Sequence, residues 1–188
     1  METTILHIKN MVCDRCIRTV RSELEKLEWH VTHIELGKVH IEGHPEEEDM
    51  QLISKSLQAE GFDLIIDKET QLVEDIKARI IEHVHYTEDY PAGVSLSGYL
   101  ADVLHHDYKF LSSLFSKHQE STIEKYYILQ RIERVKELLS YDELTLSEIA
   151  WKTGFSSVHH LSAQFKKITG LTPSRFKENT SRKPLDTV

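Results

Sequence analysis

Residues 149–176 read Ile149-Ala150-Trp151-Lys152-Thr153-Gly154-Phe155-Ser156-Ser157-Val158-His159-His160-Leu161-Ser162-Ala163-Gln164-Phe165-Lys166-Lys167-Ile168-Thr169-Gly170-Leu171-Thr172-Pro173-Ser174-Arg175-Phe176. An apolar helix stops at Gly154, since glycine takes the positive φ that ends a helix without steric cost. Three or four residues later a second helix restarts. Ser156 or Ser157 is placed to cap it by accepting a backbone N–H. Leu161, Phe165 and Ile168 recur at helical spacing and are expected to bury. Gly170 closes the helix, and Pro173 starts a final turn. Helix, tight turn and helix make a helix-turn-helix, whose second helix enters a DNA major groove. Double-stranded DNA is therefore the expected partner.

Overall charge alone would not suggest it. The chain has 188 residues, 39% apolar and 29% charged, with a net charge of -8. A uniformly acidic protein binds DNA poorly, because neutralising phosphates supplies most non-specific affinity. The charge is uneven, however. Residues 1–69 carry 8 Lys/Arg against 15 Asp/Glu, residues 70–94 carry 2 against 5, and residues 95–188 carry 13 against 11. The acid lies in the front, and the region of the helix-turn-helix is mildly basic. No apolar run reaches membrane-spanning length and no signal peptide is visible. The two cysteines, Cys13 and Cys16, are too close in sequence for an ordinary structural bridge, so a cytoplasmic protein is expected. No phosphate loop, nucleophile motif or paired acid–base site suggests an enzyme.

The front of the chain alternates strand and helix patterns. Thr4, Leu6 and Ile8 alternate as in a half-buried strand, and Ile17, Val20, Leu24 and Leu27 fall on one helical face. Thr32, Ile34 and Leu36 alternate again, Gly37-Lys38 suits a two-residue hairpin turn, and Val39 and Ile41 follow inward. The acidic run Glu46–Asp49 favours a helix start, with Met50, Ile53 and Leu57 as the inner face. Gly61 ends that helix and Phe62–Ile66 reads as a fourth strand. The order is βαββαβ, a ferredoxin-like arrangement. From about Gln71 the pattern is helical: Leu72, Ile76, Ile80 and Val84 mark one helix, residues 87–96 a loop, Ser97–Leu104 and Tyr108–Lys117 a helix pair. Ile128, Ile132, Val135 and Leu139 line a longer helix. The expected fold is thus an α+β ferredoxin-like domain over 1–68, an all-α domain with two helix-turn-helix units over 69–180, and a tail over 181–188.

The closing stretch resembles the AraC-type transcription regulators at Ile149-Ala150, Gly154-Phe155, Ser157, Phe165-Lys166, Gly170 and Pro173. Leu96, Leu100-Ala101, Leu104, Leu111-Ser112 and Leu114-Phe115 occupy the places of that family's first helix-turn-helix. Arg131-Ile132 and Lys136-Glu137-Leu138-Leu139 match its connecting helix. The resemblance implies two helix-turn-helix units on one linker helix, reading adjacent major grooves about one turn apart. By helical position, Val158, His159, Ser162 and Ala163 face outward in the second reading helix. Ser156, Ser157, Lys166 and Lys167 are phosphate donors, and Lys109, Ser112 and Ser113 form the comparable face of the first unit. Many family members carry Arg at the positions of Ser113 and Ala163. Losing them weakens single contacts, which favours a homodimer with four units; a fold that no longer binds DNA and serves protein contacts is the alternative.

Met11-Val12-Cys13-Asp14-Arg15-Cys16 lies between the first strand and first helix. A helix N-terminus lowers thiol pKa, and Arg15 and Arg18 act in the same direction. Two thiolates there form a shallow soft-ligand site. The loop resembles the Met-x-Cys-x-x-Cys loop of the heavy-metal-associated domain of copper chaperones and metal-transporting ATPases, with Gly61-Phe62 matching its neighbouring loop and Asn10 replacing a usual Gly. A thiolate pair suits a linear monovalent ion, so Cu(I) is the first expectation. Zn(II) or Cd(II) would want four ligands, the rest coming from Asp14, a histidine or a second copy of the domain. A thiol-redox pair and an inherited scaffold that binds nothing are the competing readings. The expectation is a transcription regulator responding to a soft metal at Cys13 and Cys16.

Twelve histidines add a further question. Strand parity points His7, His33 and His40 away from the helices. Pairing Leu36 with Val39 sets His40 opposite Glu35 and His33 opposite Glu42, ordinary solvated pairs, with a second metal patch or a dimer surface as the sharper alternative. Adjacent pairs such as His105-His106 and His159-His160 cannot share an ion from a helix, because neighbours diverge by about 100°.

Overall fold

The computed structural model describes residues 2–87 and 95–181. Most of the expected 87–96 loop, with Pro91 and Gly93, and nearly all of the 181–188 tail lie outside the described residues. The described residues group into two compact units, one of residues 2–79 with 100–118, the other of residues 80–87, 95–99 and 119–181.

In the first unit the alternating segments form β1 (Thr3–Lys9), β2 (Val31–Glu35), β3 (Lys38–Glu42) and β4 (Asp63–Ile65), with α1 (Asp14–Lys26) and α2 (Glu47–Ala59) between them. The sheet order is β2-β3-β1-β4 and every neighbouring pair is antiparallel. Alternation does what period-two patterning requires: Leu6, Ile8, Val39 and Ile41 bury on one face against Val20, Leu24, Ile53 and Leu57. The acidic run opens α2 through a reciprocal cap, Glu46 accepting from the Asp49 backbone and Asp49 from the Glu46 N–H at 2.9 Å.

Two expectations in this sheet are corrected. The hairpin turn is Leu36-Gly37, not Gly37-Lys38, because the left-handed residue is Gly37 (φ +82°) and Glu35 already pairs with Lys38. The register then sets His33 opposite His40, and neither histidine opposite a glutamate. A bulge between Val31 and His33 turns Val31 inward and leaves Thr32 exposed.

The other face of the sheet is not simply solvated. Helix α3 (Lys68–Ile81) lies against it: Asp75 accepts from Lys38 Nζ at 2.7 Å and lies 4.0 Å from His7 Nδ1, and Arg79 donates to Glu35 at 3.2 Å. Gly37 faces the Ala78 methyl group. The same unit holds residues 100–118, where α5 (Tyr108–His118) joins α3 through Lys117 and His118, both donating to Glu69.

The second unit is built on α6 (Ile123–Tyr141), 19 residues and therefore about 28 Å long. Thr122 caps its start, and Asp142, left-handed at φ 56°, ends it. Ile132, Val135 and Leu139 of its apolar stripe pack with Ile149 of α7 (Leu146–Lys152), with Phe155 of the turn that follows, and with Leu161 and Phe165 of α8 (Val158–Thr169). Arg131 lies on the same stripe. Its Nε donates to the Thr153 carbonyl at 2.6 Å, and its guanidinium carbon sits 3.7 Å from the Phe155 ring centre. Before α6, a π-helical turn (Glu82–Tyr86) buries His83 against Tyr99, with ring centres 4.6 Å apart. Burial, then the Arg131 charge, holds the His83 pKa below the ordinary histidine value. Among the described residues no helix is long and apolar enough to cross a membrane.

Replacing Arg131 with Met removes a charge-assisted bond and strands a buried carbonyl, so Arg131→Met should lower unfolding free energy by about 2–3 kcal/mol. Urea denaturation measures this; an unchanged midpoint would mean that the bond is dispensable.

Candidate nucleic-acid interface and cysteine site

The segment between α7 and α8 turns as the residue types require. Thr145 and Glu148 form a reciprocal cap at the start of α7. Gly154 takes φ +68°, and the Phe155 N–H returns to the Ala150 carbonyl at 2.8 Å. Thr153 is fully buried, its hydroxyl donating to Ile149 O at 2.6 Å. Of the two candidate caps, Ser157 performs the role, accepting from His160 N at 3.1 Å, while Ser156 Oγ meets His160 Nδ1 at the same distance. Gly170 ends α8 in the left-handed region, and α9 (Pro173–Ser181) packs back, setting Phe176 edge-on to Phe165 at 5.4 Å.

The outward face of α8 carries His159, Ala163, Lys166 and Lys167, all exposed, with Ser162 half-exposed beside them. Val158 is placed differently from the other outward candidates. It is half-buried and packs on the Leu161–Phe165 core, because it lies three residues before Leu161 and shares that stripe. Ile168 departs from its expected burial and is 36% exposed. It belongs to the same stripe but sits one turn beyond Phe165, the residue that Phe176 covers. The N-terminus of α8, with exposed Ser156 and Ser157, carries the positive end of the helix dipole, which favours phosphate.

In the first helix pair α4 (Leu96–Leu104) ends at His105, left-handed at φ 55°, and α5 follows. Sequence reasoning missed its cap: Asp107 Oδ1 accepts from Lys109 N at 2.9 Å and Phe110 N at 3.3 Å. An acidic residue directly ahead of an apolar-periodic run was the available signal. Leu111, Leu114 and Phe115 bury, leaving Lys109 and Ser113 exposed and Ser112 half-buried on the opposite side.

At the other site Cys13 is the residue preceding α1 and Cys16 lies in its first turn, with Sγ atoms 3.4 Å apart and both half-exposed. Burial pushes the Cys13 thiol up, but the Cys16 N–H, the Cys16 thiol and the Arg15 N–H and guanidinium outweigh it. The net result is a pKa below the ordinary thiol value. Met11, which opens the loop, and Phe62 are buried. Asn10 takes φ +73° and donates from Nδ2 to Gly61 O at 3.0 Å. Asparagine is one of the few residues besides glycine that tolerates this conformation, so the exchange for Gly keeps the loop geometry. Among the described residues no group of three or more His, Cys, Asp or Glu is placed to hold an ion. The donor set at this loop is therefore two sulfurs, which fits a soft, low-coordinate ion better than one that needs four ligands.

Residues 100–179 match the family model described as a helix-turn-helix domain. The chain is 23% identical over 164 residues to the transcriptional activator RhaS of Enterobacter sp. (strain 638), covering 86% of this chain and 56% of that protein. It is 32% identical over 72 residues to the transcriptional regulator GlxA of Rhizobium meliloti, covering 38% and 22%. Both relatives are named as regulators of transcription, and the chain spans little more than half of one and about a fifth of the other. Among solved structures, the C-terminal domain of AraT, a response regulator from Geobacillus stearothermophilus, shares the fold with a TM-score of 0.52 at 22% identity, over 60% of this chain and 88% of that one. Residues 100–179 therefore form a helix-turn-helix domain.

The lowered Cys13 pKa has a signed consequence. The folded state releases the thiol proton at lower pH than the unfolded chain. The associated stability is present above the unfolded value and lost as pH falls through the folded one. Iodoacetamide alkylation followed across pH should show Cys13 reacting with a midpoint below that of a free cysteine; coincident midpoints would contradict the arrangement.

Proposed function

We propose that the chain is a transcription regulator whose DNA affinity responds to a soft metal ion, Cu(I) foremost, held by Cys13 and Cys16. The observation that carries the metal half is the pair of thiols 3.4 Å apart at the start of a helix, one of them acidified. The βαββαβ order and the antiparallel order β2-β3-β1-β4 support reading the sheet part as ferredoxin-like and of heavy-metal-associated type. The burial of Met11 and Phe62 supports it further.

The DNA half rests on α8 and α5 as reading helices. His159 and Ser162 face base edges, and Ser156, Ser157, Lys166 and Lys167 face phosphates. Lys109, Ser112 and Ser113 perform the same tasks in the first unit. Val158 keeps a place in this set only at its edge, since it packs inward. Without arginine at Ser113 and Ala163 each unit contributes modestly, and a homodimer multiplies the contacts. Metal binding alters regulation only to the extent that it favours one arrangement of the chain over another. When bound, the ion ties the Cys13 loop to the first turn of α1.

The 3.4 Å thiol separation also favours a second reading, reversible oxidation of the same pair to a disulfide. Fluorescence anisotropy on selected genomic fragments separates the two. The metal reading expects DNA affinity to change with Cu(I) under reducing conditions and Cys13→Ser/Cys16→Ser to abolish the change. An affinity that follows oxidant alone supports the redox reading, and one indifferent to both contradicts regulation at this loop.

A further inference from the structure

The register of β2 against β3 brings two imidazoles together on the sheet face opposite α1 and α2. His33 and His40 are direct cross-strand partners, with ring centres 5.3 Å apart and planes at 78°. Helix α3 covers this face only at one end, through contacts to His7, Lys38 and Glu35. At the other end His33 is exposed, His40 is half-buried, and Ile5, paired with His40 across β1, is 49% exposed. Among the described residues neither ring makes a hydrogen bond, so their nitrogens are available as ligands.

We propose that His33 and His40 form a second metal site, taking a borderline divalent cation such as Zn(II), Ni(II) or Cu(II) through one nitrogen of each ring. The separation of the ring centres matches that of two imidazoles on one such ion. With metal–nitrogen bonds of about 2.0–2.1 Å, each ring centre lies roughly 3.2 Å from the ion, and two rings at a tetrahedral angle have centres about 5.2 Å apart. The strand pairing fixes the two side chains on one face, so little conformational freedom is lost on binding. Water completes the coordination, because no further His, Cys, Asp or Glu joins the pair among the described residues. Imidazole suits borderline divalent ions and the thiol pair suits soft monovalent ones. The sheet site therefore stands independently of the cysteine reading.

The experiment uses the full chain as Cys13→Ser/Cys16→Ser, which removes thiol ligands from the readout. Zinc chloride is titrated by calorimetry and, in parallel, by NMR of the histidine ring protons. The site predicts saturable binding in which the rings of His33 and His40 move first among the twelve histidines. His33→Gln and His40→Gln, both conservative changes at exposed or half-exposed positions, should each weaken binding about tenfold or more, with circular dichroism unchanged. Zinc binding that is as tight in both variants, or that shifts other histidine rings while leaving these two in place, would overturn the site. Should a variant fail to fold, the ring shifts of the parent chain decide the question.

Discussion

The C-terminal architecture depends on one cation placed inside an apolar stripe. Arg131 sits on the face of α6 that carries Ile132 and Val135, where an unpaired charge would be costly. Its Nε donates to the Thr153 carbonyl, and its guanidinium sits over the Phe155 ring. Both partners belong to the turn between α7 and α8. The turn therefore has a fixed address on the long helix, and α8 leaves it in a fixed direction. The Ser157 cap and the Leu161–Phe165 core then determine which residues of α8 remain outside, namely His159, Ser162, Ala163, Lys166 and Lys167. The exposed face of α8 is in this sense a consequence of the core.

A comparable constraint organises the front of the chain. Leu6, Ile8, Val39 and Ile41 commit one sheet face to α1 and α2, which fixes where α1 begins and hence where Cys13 and Cys16 meet. Asn10 holds the approach to that loop in a left-handed conformation and fastens it to Gly61. The opposite sheet face is shared between α3 and an open end. Charged pairs at Lys38–Asp75 and Glu35–Arg79 seat the helix, and His33 and His40 lie beyond it.

Much of this was legible because it rests on local rules. The periodicities located the four strands and the helices, the acidic run marked the start of α2, and Gly154, Gly170 and Pro173 marked the ends of α7, α8 and the start of α9. What was not legible depended on non-local or single-residue choices. The β2–β3 register slipped by one turn position because both Leu36-Gly37 and Gly37-Lys38 are acceptable turns on paper, and the bulge at Thr32 has no periodic signature. Val158 was assigned outward although its spacing from Leu161 sets it inward. Ile168 kept the apolar spacing after its packing partner had ended. Arg131 was visible only as a cation interrupting an apolar stripe, a signal that something polar must face it but not what.

The proposed function rests on α5 and α8 as two reading heads acting on one DNA duplex. Hydroxyl-radical footprinting of the full chain on a selected fragment tests it most directly. Two protected major-groove segments per bound chain, centred about 10–10.5 base pairs apart, are the predicted result. A single protected segment, or protection unchanged when Ser162 and Lys166 are both replaced by Ala, would contradict it.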